Sequence, residues 1–152
     1  MKITTRKNIN DFLNCKTIAL AGASRNQNSF SGQVAAHLTK LGYKLLLINP
    51  AFGNNPNGPN QYSSVNDLPD YITHLLIITP ASETEKVVKQ AIGKGIKNIW
   101  IQQSSDTPEA LKLADTNDIN LVFGHCIFMF TQPEGFHRFH FRVKKLFGGI
   151  PR

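Results

Sequence analysis

The sequence predicts an open, doubly wound α/β sheet of five mostly parallel strands with flanking helices. Three observations carry that expectation. Short apolar runs rich in Ile, Leu and Val alternate along the chain with amphipathic stretches. The runs are apolar throughout rather than at every second residue, as in strands covered on both faces. The segments between them are long enough to hold a helix and return, which makes neighbouring strands parallel and their crossovers right-handed.

Each element has its own justification. Thr17-Ile18-Ala19-Leu20-Ala21 forms the first strand, ended by Gly22. Ser31 reads as the N-cap of a helix running to about Lys40, with Val34, Ala35, Leu38 and Leu41 as its apolar face and Gly42 at its end. Lys44 to Asn49 is the second strand. From Pro50 to about Ser64 the chain is rich in Gly, Asn and Pro without periodicity, and reads as a loop. Ile72 to Thr79 is the third strand, stopped by Pro80. Ser82 reads as the cap of a helix carrying Val87, Val88, Ala91 and Ile92. Lys97 to Gln102 is the fourth strand, and Thr107-Pro108-Glu109 opens a helix with proline where its missing N–H costs nothing. Asn120 to Phe123 is the fifth strand and the shortest. Residues 135–148 read as a basic amphipathic helix, with Phe136, Phe139, Val143, Leu146 and Phe147 on one side and Arg138, Arg142 and Lys145 on another.

Composition narrows the function classes. A chain of 152 residues fits a single domain spanning 1–152, and 41% hydrophobic with 18% charged residues excludes disordered, collagenous and coiled-coil classes. No apolar run approaches the roughly 18 residues of a membrane span, and the first residues lack a signal peptide's apolar stretch. Two cysteines, Cys15 and Cys126, form no paired motif, which points to a reducing, cytoplasmic setting. The net charge is +7. No acid follows Glu134, whereas Arg138, Arg142, Lys144, Lys145 and Arg152 do, so the last helix could meet an acidic protein partner. No nucleic-acid reader motif accompanies these bases, and nucleic acid is not expected. From Phe12 through Asn66 there is no Asp or Glu, while Lys16, Arg25, Lys40 and Lys44 lie in that stretch, a balance that favours an anionic ligand.

Sheets of this kind take ligands at the carboxyl ends of their strands. The loops of interest therefore begin at Gly22, Asn49, Thr79, Gln102 and Gly124. The first, Gly22-Ala23-Ser24-Arg25 through Ser31, joins the first strand to the first predicted helix, where a pyrophosphate can rest on helix N-terminal amides. Gly22 permits the tight turn, Ser24, Asn28, Ser29 and Ser31 offer polar groups, and Arg25 offers charge. The G-x-G-x-x-G pattern fails, because Ser24 and Gln27 stand at the second and third glycine positions. The second strand ends in Asn49-Pro50 where NAD enzymes need an acid for the ribose. No G-x-x-x-x-G-K-[ST] segment occurs. His125, Cys126, His137 and His140 lack tight metal-ligand spacing, and no metal is expected.

Taken in order, these pieces resemble a known family. Gly22-Ala23-Ser24 with Ser31 and Val34, Gly42-Tyr43 before a strand ending Asn49-Pro50, Leu68-Pro69, Ala91 to Lys97, Trp100-Ile101-Gln102 and Cys126 are similar to the small single-domain CoA-binding proteins. Their Rossmann-like sheet is also that of the CoA-binding domain of succinyl-CoA synthetase. The likeness covers about residues 12 to 127. It implies CoA or an acyl-CoA as the ligand, a nucleotide of about −4 charge at neutral pH. It further implies the pyrophosphate on Ala23 and Ser24, the adenosine near Asn49 and Pro50, and Thr79, Pro80 and Ala81 along the pantetheine channel. Gln102 and Cys126, at the ends of later strands, complete the expected ligand-binding set. No carboxylate pair or Ser-His-Asp set converges on these loops, so the expectation is binding without catalysis. The alternatives are a nucleotide-dependent oxidoreductase, an acyl transferase using Cys126, or a partner-binding module acting through the basic C-terminal helix.

Overall fold

Six strands form one sheet in the order β3-β2-β1-β4-β5-β6, and every neighbouring pair is parallel. The strands are β1 (Thr17–Ala21), β2 (Lys44–Ile48), β3 (Gln61–Tyr62), β4 (His74–Ile77), β5 (Asn98–Gln102) and β6 (Asn120–His125). Among the described residues four α-helices accompany them: α1 (Arg6–Leu13), α2 (Phe30–Lys40), α3 (Ala81–Gly93) and α4 (Pro108–Thr116). This computed structural model describes residues 3–53 and 58–131. The C-terminal helix expected over 135–148 lies outside the described residues.

Two apolar layers sandwich the sheet. On one face Ala19, Ala21, Leu46, Ile48, Leu75, Ile77, Ile99 and Ile101 pack with Val88 and Ala91 of α3 and Ala110 and Ala114 of α4. On the other, Ile18, Leu20, Leu76 and Trp100 pack with Ile9 and Phe12 of α1, Val34 and Leu38 of α2, and the Cys126–Met129 segment. Both sets come from the same strands, alternating residue by residue, so the uninterrupted apolar runs are needed to fill two layers at once.

Several boundaries differ from the sequence reading. The sheet has a sixth strand, β3, inside the segment read as a loop. Its two residues contain no hydrophobic pattern, and its place is set by pairing with β2, where Leu47 N donates to Asn60 O at 2.7 Å and Asn49 N to Tyr62 O at 3.0 Å. Helix α1 leaves little trace in the sequence. Its apolar positions are only Ile9, Phe12 and Leu13, and a Thr5–Asn8 capping box starts it. The N-cap of α2 is Ser29, whose Oγ accepts from Gly32 N at 3.1 Å, while Ser31 sits inside the first turn and is buried. Likewise Pro80, not Ser82, precedes α3, and no side chain caps it. The last strand is the longest rather than the shortest. A bulge between Ile101 and Gln102 carries it past Gly124, whose φ of +71° fits the extra residue.

One buried histidine ties α1 to the sheet. His74 Nδ1 accepts from Thr73 Oγ1 at 2.7 Å, and Nε2–H donates to the Asp11 carbonyl at 3.3 Å, so the neutral ring is satisfied at both nitrogens. Burial pushes its pKa below the ordinary 6.5, opposed by the bond to Asp11. The folded chain therefore binds this proton less readily than the unfolded chain. Its contribution to stability is complete above the unfolded value and declines as pH falls below about 6.5. Urea midpoints at pH 7.5 and 5 check this: wild type is expected to lose more stability on acidification than His74→Phe.

Candidate functional site

A cleft of about 540 Å³ opens where the strand order reverses, at the carboxyl ends of β1, β2 and β4. That volume is in the range of roughly 300–1,000 Å³ usual for small-molecule sites. The reversal explains the opening. The chain leaves β1 toward β2 through α2 and leaves β4 toward β5 through α3, so the two helices diverge on opposite faces of the sheet. Ala21 and Gly22, Ile48 to Pro50, and Thr79 and Pro80 line the strand ends. One side is the segment Ser63-Ser64-Val65, and the other is the α3 face of Glu83, Lys86, Val87 and Gln90.

The strand ends are joined tightly. Gly22 and Ala23 both donate their N–H groups to Ile48 O at 3.1 Å, and Ile78 N donates to Ala21 O at 2.9 Å. Asn49 bonds to the scaffold at both ends of its amide: Nδ2 donates to Ala23 O and Oδ1 accepts from Ala51 N at 2.8 Å. Asn49 thus locks the β1–α2 loop to the turn after β2. Arg25 makes a second link, with Nη2 donating to Ala51 O at 2.9 Å and the guanidinium 5.7 Å from the Phe52 ring centroid. The loop itself is braced from within, Ser24 Oγ accepting from Asn26 N at 3.0 Å and Ser29 Oγ donating to Asn26 O at 2.6 Å.

Apart from Ala23, which is buried in the layer with α1 and α2, the residues expected at the site separate into three groups. Gly22, Asn49, Pro50, Thr79 and Pro80 line the cleft. Ser24, Arg25 and Ser31 lie along the β1–α2 loop and the first turn of α2 at its margin, and Ala81 begins α3 behind Pro80. Among the described residues no acceptor engages the backbone N–H of Ser24, Arg25, Phe30 or Ser31, whereas that of Ala23 is taken by Ile48. Gln102 and Cys126 lie elsewhere. Gln102 is 4% exposed and its Oε1 accepts from Ile127 N at 3.1 Å, which anchors the chain after β6. Cys126 is 3% exposed and packs in the layer with α1 and α2, on the sheet face opposite α3. The thiol faces apolar side chains instead of the cleft. Thr79 Oγ1 is paired with Thr84 Oγ1 at 2.8 Å in a buried contact that fixes the start of α3.

Charge near the cleft comes from fewer residues than the acid-free stretch promised. Lys16, Lys40 and Lys44 lie at the opposite end of the strands, before β1, at the end of α2 and at the start of β2. Lys16 rests on the Tyr43 ring, 4.0 Å from its centroid. Of those four bases only Arg25 stands at the carboxyl end. Among the described residues the charged groups that line the cleft itself, Lys86 and Glu83, belong to α3. They were missed because both read as ordinary solvated charges. The signal that identifies them is spacing: Glu83, Lys86, Val87 and Gln90 recur at i, i+3, i+4 and i+7, one stripe of a helix whose start is fixed beside the cleft.

Known proteins agree with this architecture. A hypothetical protein from Pyrococcus horikoshii superposes with a TM-score of 0.74 at 31% identity, covering 94% of this chain and 99% of its own. A conserved hypothetical protein from Pyrococcus furiosus gives 0.70 at 28%, covering 76% and 99%. A protein from Thermus thermophilus, at 24% identity and a TM-score of 0.69, shares the fold over 91% of this chain and 95% of its own. Among the described residues no helix is long and apolar enough to cross a membrane. The model of the CoA binding domain matches residues 16–132, from the start of β1 past the segment that Gln102 anchors, and the chain therefore belongs to the CoA-binding domain family.

Proposed function

We propose that this protein binds CoA or an acyl-CoA and carries no catalytic group of its own. The observation that supports it most is the cleft at the strand-order reversal, bounded by two strand ends, β1 and β2, within a stretch free of Asp and Glu. A carboxylate at the end of β2 would hold the ribose hydroxyls of NAD and would repel a phosphate. Asn49 does neither, since both ends of its amide are bonded to backbone.

In this reading the pyrophosphate lies along the β1–α2 loop, on the N–H groups of Ser24 and Arg25 and those of Phe30 and Ser31 in the first turn of α2. Arg25 keeps guanidinium donors beyond the one given to Ala51 and adds charge there. The adenosine rests against Asn49 and Pro50, and Pro80 and Ala81 border the pantetheine. Neither Cys126 nor Gln102 reaches the ligand. An acyl transfer through Cys126 would need its thiol to leave an apolar layer in which it is 3% exposed.

Thermal unfolding with and without ligand tests the reading. At a hundredfold excess over Kd a ligand adds about 2.7 kcal/mol, which for a chain of this size raises Tm by roughly 5–10 °C. CoA and acetyl-CoA are expected to produce such a rise and NAD none. Acetyl-CoA is expected to be recovered intact after incubation. Equal null effects of CoA and NAD would overturn the proposal.

A further inference from the structure

We propose that Lys86 recognises the phosphomonoester on the ribose of the ligand, the 3′-phosphate that separates CoA from its dephosphorylated form. The inference rests on the CoA reading above and assigns that phosphate a place and a side chain.

The lysines of α3 and its C-cap have different surroundings. Lys89 pairs with Glu85 at 2.8 Å, and Lys94 pairs with Asp70 at 2.9 Å. Lys86 has no acid within 4.0 Å among the described residues, and it alone of these lysines lines the cleft. Its ammonium therefore has its donors available to a ligand.

The rest of the cleft says which part of the ligand lies opposite. Its walls include Ala21, Ile48, Val65 and Val87, apolar surfaces suited to the flat face of a base. Ser63, Ser64 and Gln90 stand among them with groups that pair with a base's polar edge. This is the end of β2, where sheets of this kind hold the adenosine ribose. The scaffold at that point offers the ribose little, because Asn49 is already engaged at both ends of its amide. A phosphate on the ribose supplies what the site lacks, a charged group long enough to reach the helix across the cleft. Glu83 sharpens the need for Lys86. Among the described residues the two are the charged ones that line the cleft, and without Lys86 the charge these residues turn to the phosphate would be a carboxylate.

Calorimetric titration of the full chain with CoA and with 3′-dephospho-CoA tests this. Wild type is expected to bind CoA about tenfold more tightly than dephospho-CoA, as a charge-assisted contact supplies. In Lys86→Gln that ratio is expected to collapse to near one by loss of CoA affinity alone, with dephospho-CoA unchanged. Lys86→Arg is expected to keep most of the preference. Because Lys86 is exposed, both variants are expected to melt within a degree or two of wild type when unliganded. Equal affinities of the two ligands for wild type would overturn the role of Lys86 while leaving the CoA reading intact. A parallel loss of both ligands in Lys86→Gln would overturn it too, placing the lysine at a part of the ligand they share. If neither ligand binds wild type, the CoA reading falls and this inference falls with it.

Discussion

Replacing Gly22 with valine is expected to cost about 2–5 kcal/mol of stability and to abolish CoA binding at any concentration that leaves the chain folded. Two separate penalties combine. Gly22 has φ of +87°, which an L side chain adopts at a cost of about 1–2 kcal/mol. A Cβ there would also stand 2.7 Å from the carbonyl carbon and oxygen of Ile78 and 2.8 Å from Thr79 N. Those atoms are backbone, so relief requires β4 to move from β1, an overpacking cost of about 1–3 kcal/mol. The same movement would pull Ile78 N from Ala21 O and open the cleft floor. Urea unfolding of Gly22→Val and Gly22→Ala separates the penalties. Alanine already carries the backbone strain and the first clash, so it is expected to lose most of what valine loses. A Gly22→Ala variant as stable as wild type would show that the approach of β1 to β4 is not rigid.

How much of this was legible in the sequence depends on what kind of signal each feature leaves. Central strands announce themselves, because a strand covered on both faces needs Ile18 and Leu20 for one layer and Ala19 and Ala21 for the other. The reversal point followed from the order of elements, and with it Gly22, Asn49 and Thr79 at the mouth of the cleft. Features held by backbone pairing left no such trace. β3 consists of Gln61 and Tyr62, and nothing in their side chains requires a strand. Gln102 and Cys126 point to the site in the sequence because each stands at the carboxyl end of a strand. Strand ends settle only height along the sheet, not the face a side chain takes. The bulge at Gly124 then shifts the pairing, so that Gln102 lies opposite His125, and the chain after it turns back under the sheet. Lys86 was hidden for the opposite reason. Its type and spacing are those of any exposed helical lysine, and only the packing of α3 against the strand ends distinguishes it.

The same limitation governs Gly32, the one glycine in α2, which the sequence marks only as a weak point in a helix. Alanine in a helix interior is normally the better residue by about 0.5–1 kcal/mol. At Gly32 the sign is expected to reverse. A Cβ there would lie 2.4 Å from Asn26 O, 2.8 Å from Gln27 Cα and 2.9 Å from Gln27 C, all backbone atoms of the loop that precedes the helix. That loop cannot yield easily, since Asn26 O also accepts from Ser29 N at 3.1 Å and from Ser29 Oγ, and Asn26 N donates to Ser24 Oγ. The close approach that a third glycine provides in the dinucleotide loop is supplied here farther along, by Gly32. Gly32→Ala is therefore expected to lose about 1–3 kcal/mol and to weaken CoA more than tenfold, because the displaced residues 24–28 carry the N–H groups and the Arg25 side chain assigned to the pyrophosphate. Gly93→Ala is the matched control. It makes the same exchange in α3, where a Cβ meets nothing within 4 Å, and is expected to leave CoA affinity unchanged while gaining a few tenths of a kcal/mol, ~0.5. If the two variants changed stability and CoA affinity alike, helix propensity alone would explain Gly32, and the loop would not be held by the helix beneath it.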